Sequence, residues 1–299
     1  MPDVVTIGAV NIDLIARVNR FPLADEEAAV QKLEIFHGGS AANVAVGVSR
    51  LGHSSGFVGV VGTDQFGEML VKGLRKEGVD TSCLREVEGT SGIVFGAINP
   101  SGERILYTSK GVSSVFDRSF IPVDYIKSAR FLHLTSLIGE KTIDALEFAS
   151  DVAYDNSVKV ILDPGSILAE KGIAALRGIL KNCYMVVPNR VEAFMLTGLK
   201  GEDAGRKILE HGPQAVIITR GSQGSLVITR DMVKNIPALE SKVVDTTGAG
   251  DSFAAGLISA LLRDKDLGEA AEFANLVASR SVTAMGARPQ CATDITDHS

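Results

Sequence analysis

The sequence predicts an α/β fold in which a mostly parallel sheet is covered by helices on both faces. Short apolar, β-branched segments alternate with segments of helical periodicity, which is the pattern of successive β-α-β units. The strand-like segments are apolar throughout, as is typical of strands buried on both faces. We predict core strands at residues 4–7, 55–60, 131–134, 158–162, 185–187 and 215–218.

Segments with helical periodicity separate these strands. We predict helices at residues 41–51, 67–77, 142–156, 191–197, 203–211, 251–263 and 267–284. The chain shows no internal repeat, low-complexity tract or linker-like stretch. We therefore expect residues 1–299 to form one domain.

Two pairs of segments interrupt the alternation and read as β-hairpins. We expect residues 12–18 to pair with 28–35, and residues 93–98 to pair with 104–108. The second pair is joined by residues 99–103, an Asn-Pro-Ser-Gly-Glu sequence typical of a turn. We predict that segments of about 11–36 and 91–110 form a small β-sheet lid; two unrelated surface hairpins are the alternative. The lid is favoured because Asn11 and Asp13 follow the first core strand, and open α/β sheets bind ligands at the carboxyl ends of their strands.

Composition excludes several classes of protein. The 299 residues are 45% hydrophobic and carry a net charge of −6, so no basic surface for nucleic acid is indicated. Cys83, Cys183 and Cys291 are far apart, which matches neither a disulfide framework nor a zinc site. The N-terminus lacks a basic signal-peptide region, and no apolar run approaches the ~20 residues of a membrane span. We expect a cytoplasmic enzyme with reduced thiols.

The most informative segment is residues 245–253, where a glycine-rich turn precedes a long apolar helix. Gly248, Ala249 and Gly250 have little side chain, so backbone N–H groups and the helix dipole can face one anion. Asp251 follows in the first helical turn, a suitable place for a general base that deprotonates an attacking hydroxyl. A glycine turn with a capping aspartate is the purely structural alternative.

Spacing argues against other uses of these glycines. A dinucleotide-binding fingerprint requires a third glycine where Phe253 stands, and a Walker A loop requires a lysine directly after its last glycine. A hydrolase nucleophile elbow is also missing, and the only late histidine is His298. These classes are therefore disfavoured.

A second glycine-rich motif, residues 37–43, opens the first predicted helix. Gly38 and Gly39 allow the backbone to approach a ligand, and Asn43 can both donate and accept hydrogen bonds to a polyol. Ser40 as an N-cap explains the turn equally well. It does not explain an asparagine on an otherwise apolar helix.

Two further motifs follow predicted strands. Asn189 and Glu192 are three residues apart at a helix start and are placed either to hold a hydrated magnesium ion or to form a capping box. Thr219 leads from a strand into a turn that contains Gly221 and Gly224. Taken alone, this turn is an ordinary hairpin.

The four motifs, in this order over almost the whole chain, resemble those of the ribokinase-like (PfkB-type) carbohydrate kinase family. The resemblance implies a three-layer sandwich with a β-sheet lid, the use of ATP and Mg²⁺, and phosphorylation of a sugar hydroxyl. It implies that Asp251 is the base and that Gly248, Ala249 and Gly250 form the anion hole. The acceptor is expected at Asn11, Asp13, Gly38, Gly39 and Asn43, and the nucleotide at Asn189, Thr219, Gly221, Gly224 and Asn275.

The resemblance also suggests two metal sites. Asn189 and Glu192 would hold magnesium through water, and potassium would bind near Asp245 and Thr247. For potassium, Gln290 replaces a serine often found in the family. Ser40 replaces a lysine of ribokinases, and Thr135-Ser136 stands where they carry a glutamate. Ribose is therefore not singled out as the acceptor. The family's D-P-N-x-R stretch is reduced here, and we assign no role to Asp163.

We expect transfer of the γ-phosphoryl group of ATP to a hydroxymethyl group. Among acceptors we place a neutral sugar first, a nucleoside second and an anionic sugar third. The anionic sugar comes last because only Arg104 and Lys110, on the lid, are placed to meet an anion. A non-catalytic sugar or nucleotide sensor is the alternative from another class. A small sheet with an apolar face tends to pair, so we expect a homodimer through the lids.

Overall fold

The computed structural model describes residues 1–288, so Gln290, Cys291 and His298 lie outside the described part. The strands within it are β1 (Val4–Ile7), β2 (Asn11–Val18), β3 (Val30–Gly38), β4 (Ser55–Gly62), β5 (Leu84–Val87), β6 (Gly92–Ile98), β7 (Arg104–Ser109), β8 (Phe131–Thr135), β9 (Lys159–Asp163), β10 (Cys183–Val186), β11 (Ala215–Thr219), β12 (Ser225–Thr229) and β13 (Val233–Ile236).

The larger sheet has nine strands in the order β13-β12-β11-β10-β9-β8-β1-β4-β5. The strands from β11 to β5 are parallel to their neighbours, whereas β12 and β13 add an antiparallel edge. All six predicted core strands are present. Sequence reasoning missed β5 and β13 because these edge strands are four residues long and partly exposed, and it missed β12 because that strand follows directly after the glycine turn.

The helices of residues 1–288 are α1 (Ser40–Arg50), α2 (Gln65–Lys76), α3 (Val123–Lys127), α4 (Thr142–Asp155), α5 (Gly165–Ala169), α6 (Gly172–Ala175), α7 (Arg177–Leu180), α8 (Arg190–Thr197), α9 (Gly201–Leu209), α10 (Ala249–Leu262) and α11 (Leu267–Ser281), with 3-10 turns at Gly111–Val115, Arg118–Phe120 and Gly221–Gln223. The seven predicted helices are present with slightly shifted ends. The remaining four span only four or five residues, which is too short to show a helical period.

The sheet is the middle of three layers. Side chains of β1 alternate between the faces. Val5 and Ile7 belong to a core cluster that includes residues of α4 and α9, whereas Val4 belongs to a cluster on the other face that includes residues of α1, α10 and α11. This arrangement follows from strands that are apolar on both faces. None of the helices in the described part of the chain is long and apolar enough to cross a bilayer.

The two predicted hairpins lie side by side in a separate four-stranded sheet, the lid, in the order β3-β2-β6-β7. Its central pair, β2 and β6, is parallel. Asp13 pairs with Phe36 and Val94, whereas Leu14 pairs with Ile35 and Phe95. Because successive residues alternate between faces, Asp13 and Phe36 lie on one face of the lid and Leu14, Ile35 and Phe95 on the other.

Candidate active site

The first turn of α10 forms an open cradle. Gly248, its N-cap, has a left-handed backbone with φ 74°, and a Cβ there would lie 2.6 Å from the carbonyl oxygen of Ala287. A Cβ on Gly250 would meet no atom within 4 Å. The N–H of Ala249 already donates to Thr246 O at 3.2 Å. The predicted anion hole therefore depends mainly on the open space at Gly250 and on the positive end of the helix.

Asp251 is held in place by two side chains of α1. Ser40 Oγ donates to Asp251 Oδ1 at 2.6 Å, and Asn43 Nδ2 donates to Oδ2 at 2.7 Å. Burial raises the pKa of Asp251, while these two hydrogen bonds and the charge of Arg288 oppose that rise. The structure thus places the second glycine motif against the predicted base. The alternative of Ser40 as a helix cap is wrong, because Gly39 is the N-cap of α1, no side chain caps the helix, and the Ser40 hydroxyl donates to Asp251 instead.

A cavity of about 240 Å³ opens in front of this turn. The carboxyl groups of Asp163, Glu192 and Asp251 lie on its wall together with Gly250. Burial raises the pKa of Asp163 and of Glu192, and the neighbouring carboxylates raise both further. Three carboxyls around one cavity favour a bound cation. Sequence reasoning gave Asp163 no role, although its position at the end of β9 was a usable signal.

Asn189 and Glu192 form a complete capping box at the start of α8. Asn189 Oδ1 accepts from the N–H groups of Val191 at 2.8 Å and Glu192 at 3.0 Å, and Glu192 Oε2 accepts from Asn189 N at 2.8 Å. The cap therefore fixes Glu192 on the cavity wall. Within residues 1–288 no group of three His, Cys, Asp or Glu side chains is arranged to hold a metal directly. This donor set fits a magnesium ion bound through water.

The acceptor residues meet at the base of the lid. Asn11 Nδ2 donates to Asp13 Oδ1 at 2.5 Å, and a Cβ on Gly38 would lie 2.6 Å from the Asp13 carboxyl oxygens. Gly39 has φ 94° and leaves no room for a Cβ beside Ala9 O. Burial raises the pKa of Asp13 to about 6, with the charge of Asp251 adding to the rise and Asn11 and Arg288 opposing it. The Cβ distances at Gly38 and Gly39 show that neither position has room for a larger residue.

Arg288 completes this cluster and was not predicted. Its Nε donates to Asn43 Oδ1 at 2.7 Å and its Nη2 donates to Gly38 O at 3.1 Å. Arg50 Nη1 donates to the backbone oxygen of Arg288 at 2.8 Å. Burial lowers the pKa of Arg288 to about 10, which leaves the guanidinium charged at neutral pH. The segment around it has no periodicity, so the sequence carried no signal for this contact.

Comparison with known proteins places this site in a family. The family model described as pfkB family carbohydrate kinase matches residues 1–294. The chain belongs to the PfkB family of carbohydrate kinases. It is 32% identical to a nucleoside kinase of Methanothermobacter thermautotrophicus, with 93% of this chain and 88% of the relative covered. It is 29% identical to a ribokinase of Haemophilus influenzae, with 96% and 94% covered.

The fold agrees with this assignment. The crystal structure of a ribokinase from Thermotoga maritima superimposes with a TM-score of 0.86 at 27% identity, covering 98% of this chain and 96% of that one. The predicted ribokinase-like three-layer sandwich is confirmed. As a PfkB family member, the chain is a phosphotransferase that acts on an alcohol group.

The residues expected at the nucleotide lie around the β11–β12 turn. Thr219 ends β11 on the wall of the 240 Å³ cavity, and Gly221 is exposed in the turn. Gly224 has φ 78° and would place a Cβ 2.0 Å from Ile236 O. Asn275 is buried and donates from Nδ2 to Pro237 O at 3.1 Å. Gly224 and Asn275 therefore hold the β12–β13 hairpin, and their contacts with ATP stay predictions.

Asp245, one of the two expected potassium residues, is hydrogen-bonded to the other, Thr247, and to the loop that follows α11. Asp245 Oδ1 accepts from Thr247 N at 2.9 Å and from Oγ1 at 2.7 Å, and Oδ2 accepts from Gly286 N at 2.9 Å. Burial works against ionisation, but these bonds outweigh it and hold the pKa of Asp245 below its usual range. Potassium at this loop remains a prediction.

A second cavity, of about 430 Å³, lies between the lid and the loops that precede α10 and follow α11; we call it the lid pocket. Asp13 and Arg104 lie on its wall. Lys110, the other lid cation predicted to meet an anionic acceptor, instead lines a different cavity, whose wall also includes Lys141 and Lys171. Of the two cations predicted for an anionic acceptor, only Arg104 is therefore present at this pocket.

Proposed function

We propose that the chain transfers the γ-phosphoryl group of ATP to a hydroxymethyl group on the sugar unit of its acceptor, with Asp251 as the general base. One observation carries the proposal: Asp251 lines one cavity, and hydrogen bonds connect it to the residues beside Asp13, which lines the other. It lines the 240 Å³ cavity beside Gly250, and Asn43 links it to the cluster of Gly38 and Arg288 at the lid.

The hydrogen bonds of Asp251 leave it able to act as a base. A carboxylate offers about four acceptor sites, and Ser40 and Asn43 occupy one on each oxygen. An acceptor hydroxyl can therefore donate to Asp251 without displacing either side chain. The raised pKa of Asp251 makes the carboxylate a stronger proton acceptor than an exposed aspartate.

The part of the cavity wall next to Asp251 suits the phosphate groups. Gly250 lies there, in the first turn of α10 that Gly248 and Ala249 begin, and the positive end of this helix would face the negative charge that spreads over the transferring phosphoryl oxygens. Asn189 and Glu192 are placed to hold magnesium through water, and that ion would neutralise phosphate charge. Glu192 is fixed for this role by its capping bond to Asn189 N.

The acceptor's ring hydroxyls would meet Asn11, Asp13 and Asn43. The close Asn11–Asp13 hydrogen bond orients the Asp13 carboxylate. This carboxylate would accept hydrogen bonds from sugar hydroxyls, and the amide groups of Asn11 and Asn43 would donate hydrogen bonds to those hydroxyls. The lid covers this position and excludes bulk water, which would otherwise receive the phosphoryl group. The groups that a sugar kinase needs would thus lie at two cavities that the Asp251–Asn43–Arg288 hydrogen bonds connect.

The proposal is tested by ADP release from ATP and Mg²⁺ with matched pairs of acceptors, ribose against 5-deoxyribose and adenosine against 5′-deoxyadenosine. We expect ADP only with a member that carries the hydroxymethyl group. Equal ADP release with the deoxy compound, or without acceptor, would contradict transfer to that group. Binding of an acceptor without any turnover would instead identify a non-catalytic sensor.

A further inference from the structure

We propose that the acceptor is a nucleoside whose base lies in the lid pocket. This inference rests on the proposed function, because it assumes that the hydroxymethyl group of the sugar lies at Asp251. It reverses the order of acceptors expected from the sequence, where a neutral sugar came first. The reason is the chemistry of the lid pocket, which the sequence did not reveal.

The pocket walls are mainly apolar. Ile15, Phe36 and Leu106 line it from the lid, and Val243, Val244 and Met285 line it from the opposite loops. The strand register explains the lid side, because Ile15 follows Asp13 by two residues on β2 and therefore lies on the same face. The inner face of the lid thus changes from polar at Asp13 to apolar beyond it.

The order of groups from the 240 Å³ cavity to the lid pocket matches the parts of a nucleoside. Asp251 lies at the phosphate end, and Asp13 borders the lid pocket. Arg288 links the two regions through Asn43 and Gly38. A ribose with its hydroxymethyl group at Asp251 and its other hydroxyls at Asp13 would direct the substituent on its far carbon into the pocket.

A base fits this pocket better than the alternatives do. A free pentose carries hydroxyls on nearly every carbon and would leave the wall of Phe36 and Leu106 without an apolar partner. The flat face of a base can pack on such a wall. At about 430 Å³ the pocket has the size of an ordinary small-molecule site.

A phosphate on the same carbon is disfavoured by charge. Arg17 and Arg104 are at the pocket, but Arg17 already pairs with Glu34 at 3.5 Å. The Asp245 carboxylate near Arg104 also lines the pocket, as does Asp13. A phosphate there would therefore lie among carboxylates of the same charge.

The test is a steady-state ADP-release assay on the full chain with adenosine, guanosine, inosine, cytidine, uridine, ribose, fructose and ribose 1-phosphate. We expect at least one nucleoside to exceed free ribose in kcat/KM by on the order of 10²-fold, since base contacts add binding that ribose lacks. Equal or higher kcat/KM with a free sugar or with ribose 1-phosphate would overturn the inference and leave the proposed function intact. No ADP with any acceptor would overturn the proposed function itself.

A pair of variants tests the location of the base. Leu106→Asp places a charge on the pocket wall, whereas Leu23→Asp places the same charge on an exposed lid loop outside the pocket. We expect L106D to raise KM for the nucleoside about tenfold or more while kcat/KM for ribose stays within about twofold. L23D should match the wild type with both. Equal losses with both acceptors in L106D would contradict a base in this pocket.

Discussion

Arg288 donates a hydrogen bond from Nε to Asn43 Oδ1 at 2.7 Å. Because this bond occupies the oxygen of the amide, the Nδ2 group of Asn43 is turned towards Asp251, to which it donates at 2.7 Å. The guanidinium thus sets the orientation of a side chain that holds the predicted base. It also places a positive charge near Asp251 and Asp13, whose pKa values it lowers.

We predict that Arg288→Gln moves the acidic limb of kcat/KM to higher pH. Loss of the guanidinium removes a charge that stabilises the ionised form of Asp251 and of Asp13, so both pKa values rise and the base is protonated at a higher pH. Loss of the bond to Asn43 should lower kcat by about tenfold to 10²-fold. Arg288→Lys keeps the charge and should retain the wild-type profile. An unchanged profile in R288Q would contradict this role.

The two glycines of the α10 turn should respond differently to alanine. Gly248→Ala requires a left-handed backbone and brings a Cβ to 2.6 Å from Ala287 O, so we expect lower Tm and lower activity. Gly250→Ala meets no atom and lies in a helix, where alanine is favoured by about 1 kcal/mol.

G250A should therefore keep or raise Tm. Its activity should fall by on the order of 10²-fold, because the added methyl group occupies the space assigned to the phosphoryl group. Thermal melts and kcat on the same preparations compare the two variants. Full activity in G250A would show that the cradle is not used by phosphate.

His133 should make the fold sensitive to acid. It is fully buried in β8, and neither ring nitrogen has a hydrogen-bond partner among the described residues. Burial lowers its pKa from 6.5 to about 3. Between these values the unfolded chain binds a proton that the folded chain does not, so stability is lost as pH falls below about 6.5, by up to about 1.4 kcal/mol per pH unit.

His133→Leu removes this dependence. We expect the difference in unfolding free energy between wild type and H133L to change with pH between 4 and 7. The unfolding free energy of the wild type should fall relative to that of H133L as the pH is lowered. Urea titrations at each pH measure it. Asp13 and Asp251, whose pKa values are raised, contribute with the opposite sign but are present in both proteins. A difference that stays constant with pH would contradict the account.

The sequence predicted those parts of the fold and of the site that depend on the pattern of neighbouring residues. Buried parallel strands are continuously apolar, and glycine turns at helix starts have few alternatives, so the predicted core strands and the Asp251 turn needed no knowledge of distant contacts. Arg288 and the Ser40–Asp251 bond could not be predicted this way, since they join residues 245 and 211 positions apart. Their partners are selected by packing, which a single sequence does not display.

We propose that the chain forms a homodimer through the outer face of the lid. Leu33, Ile35 and Tyr107 are 56%, 50% and 64% exposed, and the strand register places them on the face opposite Asp13. An apolar sheet face of this kind favours association. Light scattering should show a dimer for the wild type and a monomer for Ile35→Asp combined with Tyr107→Asp.

Tyr154→Asp is the matched control for these lid variants. Tyr154 is 62% exposed on α4, away from the lid, so this variant should stay dimeric. A monomeric wild type with full activity at micromolar concentration would refute pairing through the lids. Unchanged mass in the double lid variant would place any dimer contact elsewhere.

The turnover number of Asp251→Asn tests the central claim most directly. Asparagine has nearly the same shape, but it cannot accept the acceptor's proton, so we predict that kcat falls by ~10²–10⁴-fold while KM for the acceptor changes little. Measurement of kcat and KM by ADP release, with binding of ATP and acceptor checked by calorimetry, separates lost chemistry from lost affinity. A variant that binds both ligands and retains near wild-type kcat would contradict the assignment of Asp251 as the base.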